Sequence, residues 1–358
     1  MSDVAELRQY ALVHARSQGI GPDVYGPVLD GVDNDSDGAE GSWALAWSRA
    51  AADAERRGEL LDAVRLYNLA RFPYVDGPVR REAHARSVAA FDAWRRAGTD
   101  IQSLELDLPG GRVRAWGAGL SATERRPLVI LMGGIVSTKE SHAPALAEAD
   151  VLGMAGIATE IPGIGENGLA YGPDSWRLLP DLLDAVADQA DVANTYALTL
   201  SFSGHLALRA AAADPRIRGV VTTGAPVHDF FTDADWLAQV PRITLDTLAH
   251  LTGAKVADLP AHLRDWVIPD EELAGLDIPV AYAASLRDEI IPPGDLARLR
   301  RHLRRLEVLE KDDVHGSPAH VAEVRLWTIL TVLRQRGVTG PVVDGLTAAV
   351  EAARTKEH

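Results

Sequence analysis

From Ile101 onward, short continuous apolar runs alternate with segments of helical period, and few folds accommodate that alternation. "SLELDL" and "RVRAWGA", split by "PGG", read as the two strands of a hairpin. "PLVILMGG" then reads as a strand and "SHAPALAEADVLGMAG" as a helix. "IATEIPG" is a strand, and "DSWRLLPDLLDAVADQA" a helix. "YALTL" leads into an alanine-rich helix, and "RGVVTTG", "DIPVAYAAS" and "LEVLEK" complete the strand set. Apolar strands of this kind are buried on both faces, which implies an α/β fold with a mostly parallel sheet between two helical layers.

The preceding segment has a different period. "GSWALAWSRAAADAERRGELLDAVRLYNLARFPY" and "VRREAHARSVAAFDAWRRAG" place small and apolar residues three and four apart, with charges between. One helical pair resembles a tetratricopeptide hairpin, but a solenoid needs about three repeats. Residues 1–100 are therefore expected to form an all-helical domain and residues 101–358 the α/β domain. A stretch at about residues 232–272 has helical composition and no strand, and is a candidate lid over the sheet.

Composition excludes several function classes. The formal charge of −15 argues against nucleic-acid and anionic-membrane surfaces. With no cysteine, thiolate nucleophiles, disulfides and cysteine-ligated metals are ruled out. No run is long and apolar enough for a signal peptide or membrane span, so a cytoplasmic protein is expected. "PGIGENG" carries no phosphate-loop lysine, and "HDFFTDADW" matches no metal signature and reads as helix capping. Neither a cofactor nor a metal is expected.

The chemistry-bearing stretch is "TYALTLSFSGHLALRAAAADP", where a strand turns at once into a helix. Such a turn forces its tip residue into a strained backbone and aims it above the sheet, in front of a helix N-terminus. Small residues flank the tip, as in small-x-Ser-x-small, and Ser201 is the candidate tip, between Thr199 and Ser203. Placing Ser203 there instead would put His205 at a cramped position. A serine-rich N-cap without chemistry is the plain alternative.

A serine at such a turn needs a base, an orienting acid and an oxyanion hole, in the chain order Ser, Asp, His. Asp288 follows the strand "VAYAAS" in "LRDEIIPP", with Glu289 beside it. His315 follows "LEVLEK" in "DDVHGSPAH", with His320 as a competitor placed where the last helix should begin. Asp312 and Asp313 read as loop solvation. The turn "ILMGGIVSTKE" would present the Ile135 N–H to an oxyanion, and Phe202 the second N–H.

With these pieces placed, the chain resembles α/β-hydrolases with a helical N-terminal domain, relatives of the fermentation–respiration switch esterase and dihydroxypseudooxynicotine hydrolase. The resemblance rests on "RGELLDAVRLYNLARFPYVDG", "LMGGIVSTKES", "LSFSGHLALRAA", "GAPVHDFF" and the Asp288 and His315 loops. It implies a catalytic Ser201–Asp288–His315 triad, a pocket between the domains and, in many members, a homodimer. Members cleave esters, or carbon–carbon bonds next to carbonyls in aromatic and polyketide-like small molecules. In "YNLARFPY", Tyr67, Asn68, Arg71 and Tyr74 are candidate pocket walls, with Phe72 assigned to domain packing. An acyltransferase or cyclase on the same scaffold, and an inert binding protein, are the rival classes.

Overall fold

The computed structural model describes residues 3–149 and 152–356. Among the described residues eight strands form one sheet, in the order β1-β2-β4-β3-β5-β6-β7-β8. They are β1 (Gln102–Leu108), β2 (Gly111–Ala118), β3 (Pro127–Met132), β4 (Ala155–Thr159), β5 (Asp191–Leu200), β6 (Ile217–Thr223), β7 (Val280–Ser285) and β8 (Leu306–Lys311). The β1–β2 hairpin is antiparallel and β2 runs antiparallel to β4. All remaining pairs are parallel.

The sheet is covered on both faces, as its apolar strands require. On one face Leu128, Ile130, Ala197 and Val220 pack with Leu182 and Leu206 of the helices Leu178–Ala185 and Phe202–Ala213. On the other, Val129, Tyr196 and Val221 meet Trp327, Leu330 and Val332 of the helix Val321–Gln335.

Residues before the sheet form the helices Val4–Ser17, Pro22–Asp30, Trp43–Arg56, Leu60–Arg71 and Pro78–Gly98. Their core holds Trp43, Trp47, Tyr67 and Phe91 and runs without a break into Trp116, Ala118 and Ala158 of β2 and β4. Phe91 and Trp116 pack with ring centroids 4.9 Å apart. Between β6 and β7 the chain forms short helices and no strand, the longest being Arg242–Thr252. His250 on that helix stacks on Tyr74 at 4.3 Å, joining the insertion to the N-terminal helices.

One element differs from its sequence pattern. "SHAPALAEADVLGMAG" has helical period, yet Ala143–Glu148 within it is a 3₁₀ turn, preceded by another at Lys139–Ser141. Tertiary anchors override the local preference. Asn68 donates to Ser141 at 3.2 Å, while Ala143 and Leu146 pack into the core of the N-terminal helices. A 3₁₀ path rises ~2.0 Å per residue against ~1.5 Å for an α-helix, so it spans those anchors with fewer residues and covers less of the sheet.

Candidate active site

Leu200 ends β5, Phe202 begins the helix Phe202–Ala213, and Ser201 between them has φ 59° and ψ −126°. Only Ser201 and Ser317 among described non-glycine residues have positive φ. The strained turn is held from both sides. The Ser201 N–H donates to Thr223 O of β6 at 2.7 Å, and the Gly204 N–H donates to Ser201 O at 2.8 Å. Ser203 is fully buried: its hydroxyl donates to Met132 O at 2.8 Å and accepts from the Leu200 N–H at 3.0 Å. The motif's glycine position is thus filled by a serine that ties the turn to β3. One residue later, at Gly204, the helix has no room for a side chain. A Cβ at Gly204 would collide with Thr222 Oγ1 and lie 2.6 Å from the Ala225 Cβ.

The two loops after β7 and β8 bring Asp288 and His315 to Ser201. His315 Nε2 lies 3.1 Å from Ser201 Oγ, and its Nδ1 lies 2.8 Å from Asp288 Oδ2. Asp288 Oδ1 accepts the N–H groups of Ile290 and Ile291 at 2.9 and 2.8 Å, which fixes the carboxylate. Burial lowers the pKa of His315, but the charge and hydrogen bond of Asp288, with Glu289 adding to them, raise it above the usual histidine value. Glu289 also accepts the His315 backbone N–H at 2.9 Å. Gly224, at φ 59°, backs the imidazole: a Cβ there would stand 2.7 Å from His315 Cε1.

Asp313 is a correction to the sequence reading. It is buried rather than solvating, and its carboxylate accepts the Val314 and Ala319 N–H groups at 2.8 and 2.7 Å, bracing the His315 loop. Asp312 is at the surface, paired with Arg287. His320 stands at the N-terminus of the helix Val321–Gln335. In "HDFFTDADW", Asp233 caps a short helix by accepting the Trp236 N–H at 2.9 Å, and His228 pairs with Asp229.

Ile135 and Phe202 both line a cavity of about 120 Å³ around Ser201. Neither of their N–H groups donates to an acceptor among the described residues, and that of Phe202 is a free donor of the helix N-terminus. The remaining wall is not the one expected. Tyr10, Val13, His14 and Ser17 of the first helix supply it, with Phe72 and, from the insertion, Ile243. Tyr67, Asn68, Arg71 and Tyr74 do not line this cavity. Tyr67 turns away to donate to Glu55 at 2.8 Å, and Tyr74 stacks on His250. The spacing of Leu7, Tyr10, Ala11 and His14 was the available signal, since it puts two polar-tipped rings on the apolar face of a helix. Burial pulls His14 down to about 4, with Arg71 and His315 adding to the shift, so it is neutral near pH 7.

Asn68 and Arg71 act on the loop that carries Ile135. Arg71 Nη2 donates to Val136 O, and Asn68 Oδ1 accepts the Thr138 hydroxyl at 2.8 Å. The next residue, Lys139, is buried with Glu140, Glu160 and Glu166, its Nζ lying 2.9, 3.6 and 2.8 Å from their carboxylates. Burial raises the Glu160 carboxyl despite Lys139, whereas Lys139 and His84 outweigh burial at Glu140 and hold it low.

The two serines of the turn should separate in unfolding experiments. Ser203→Ala strands Met132 O and the Leu200 N–H in a buried site and is expected to cost about 1–3 kcal/mol. Ser201→Ala removes no bond that holds the fold and should stay within about 0.5 kcal/mol of the parent. Urea denaturation of both variants checks this; equal losses would contradict the assignment of Ser203 to the scaffold.

Comparison with known proteins places the chain in a family. Residues 40–275 match the model of the family described as "Esterase FrsA-like". Esterase FrsA of Photobacterium profundum is 25% identical over 272 residues, which span 67% of this chain and 64% of that protein. Esterase FrsA of Pectobacterium atrosepticum is 24% identical over 289 residues, 72% of this chain and 68% of that one. Among solved structures, wild-type AbyA5 is 53% identical, covers 98% of this chain and 99% of its own, and superposes with a TM-score of 0.94. The 2,6-dihydroxy-pseudo-oxynicotine hydrolase, 19% identical, covers 90% of this chain and 96% of its own with a TM-score of 0.68, which speaks for the fold alone. The chain has the α/β-hydrolase fold and belongs to the FrsA-like esterase family.

Proposed function

We propose that the chain is a serine hydrolase in which Ser201, His315 and Asp288 act as a triad on a carbonyl substrate. The observation that carries this reading is the unbroken hydrogen-bonded chain from Ser201 Oγ through His315 to Asp288, at 3.1 and 2.8 Å, at a strained strand-to-helix tip. His315 Nε2 takes the Ser201 proton as the hydroxyl attacks, and Asp288 holds the Nδ1–H tautomer. The N–H groups of Ile135 and Phe202 receive the negative charge that develops on the carbonyl oxygen. His315 then protonates the leaving group: an alkoxide from an ester, or a carbanion stabilised by an adjacent carbonyl if a carbon–carbon bond breaks. Water enters against the same base and releases the acyl group. Ester cleavage is the preferred reading, supported by the esterase family to which the chain belongs.

The base must be neutral to accept a proton. Because the pKa of His315 is raised, activity should fall as pH drops through a value above the usual histidine range. His14, already neutral there, should not contribute to that limb. Asp288→Asn should shift the limb to lower pH and reduce kcat by about 10⁴-fold. Adding Ser201→Ala to His315→Ala should cost little more than either alone. Rate profiles and a double-mutant cycle on a p-nitrophenyl ester measure both; multiplicative losses would mean that the residues do not act as one unit.

Arg71 should position the oxyanion turn without touching substrate. Arg71→Met is expected to lower kcat by up to about 10²-fold with KM within a few-fold, and Arg71→Lys to recover part of the loss. A raised KM at unchanged kcat would instead return Arg71 to the pocket wall.

A further inference from the structure

Central strands of a parallel sheet need cover on both faces. On the face that carries the helix Val321–Gln335, however, Leu131 of β3 and Leu198 and Leu200 of β5 remain only half-buried. The helix that sequence period would lay over them is reduced to 3₁₀ turns. Above these leucines is a mostly apolar cavity of about 710 Å³, reaching from Ile329 on the helix to Ala145 on the 3₁₀ turn. That volume falls within the ~300–1,000 Å³ of small-molecule sites, whereas the 120 Å³ around Ser201 falls below it.

The position of this cavity points to a ligand. It shares Ser17 and Leu200 with the cavity around Ser201, so the two adjoin at the turn itself.

We propose that this cavity is a subsite for the long arm of the acyl substrate: an extended aliphatic chain whose reacting carbonyl reaches Ser201 past Leu200. The proposal rests on the serine-hydrolase reading and adds the substrate class. The apolar body of the chain covers Leu131, Leu198 and Leu200.

The test compares kcat/KM for p-nitrophenyl acetate and p-nitrophenyl decanoate in the full-length protein, Ile329→Trp and Ala145→Trp. The two substitutions fill the cavity from opposite walls, so one suffices if the other fails to fold by circular dichroism. The expected result is a decanoate-to-acetate ratio well above one in the parent, since each buried methylene favours binding by up to about fourfold. That ratio should fall at least tenfold in the filled variants. An unchanged ratio in a folded variant overturns the proposal. If the parent cleaves neither ester and a fluorophosphonate leaves Ser201 unlabelled, the hydrolase reading fails, and binding of dansylaminoundecanoic acid then decides. Affinity lost in the filled variants supports a chain-binding cavity, and affinity absent or unchanged overturns it.

Discussion

The backbone of Ser201 is the constraint on which the site depends. A non-glycine residue at φ 59° and ψ −126° costs on the order of 1–3 kcal/mol, and the surrounding structure must over-determine it. Three strands do so: β5 delivers the serine, β6 accepts its N–H through Thr223, and β3 is tied to the turn through Ser203 and Met132. The result is a hydroxyl fixed in front of a helix N-terminus, where free N–H groups and the helix dipole favour negative charge. Asp288 and His315 approach on separate loops, so the arrangement relies on the register of the parallel strands β5 to β8.

The second support is electrostatic and joins the two parts of the chain. Lys139, Glu140 and Glu160 are almost wholly buried just behind the Ile135 turn, with Arg71 approaching from the N-terminal helices. Burying charges is expensive, and such a cluster adds little net stability over an apolar one. What it provides is position. Glu160 accepts the Lys139 and Glu166 N–H groups at 3.1 and 3.0 Å, Asn68 and Arg71 bond the loop from the other side, and Trp116 donates to Glu140 at 2.9 Å. The helices before Ile101 thereby fix the turn that carries Ile135, one of the two proposed oxyanion donors.

Much of this was legible in the sequence because it is local. Strand runs, the strand-to-helix turn and the loops ending in Asp288 and His315 each announce themselves within a few residues. The 3₁₀ turns after Lys139 were not legible, since tertiary anchors rather than helical period decide them. Nor was the pocket wall. "YNLARFPY" has the polar and aromatic composition of a binding surface, yet three of its candidates serve the scaffold: Tyr67 bonds Glu55, while Asn68 and Arg71 hold the loop. Tyr10 and His14 form the wall in their place because the first helix lies across the turn, a long-range placement that periodicity alone does not specify.

The most direct measurement is peptide mass spectrometry after treatment with a fluorophosphonate. A catalytic Ser201 activated by His315 predicts a single phosphonyl adduct on the peptide containing residues 195–215. The adduct should be lost in Ser201→Ala, strongly slowed in His315→Ala and retained in a folded Ser203→Ala protein. No adduct, or an adduct on Ser203 or elsewhere that survives Ser201→Ala, would contradict the assignment of Ser201 as the nucleophile.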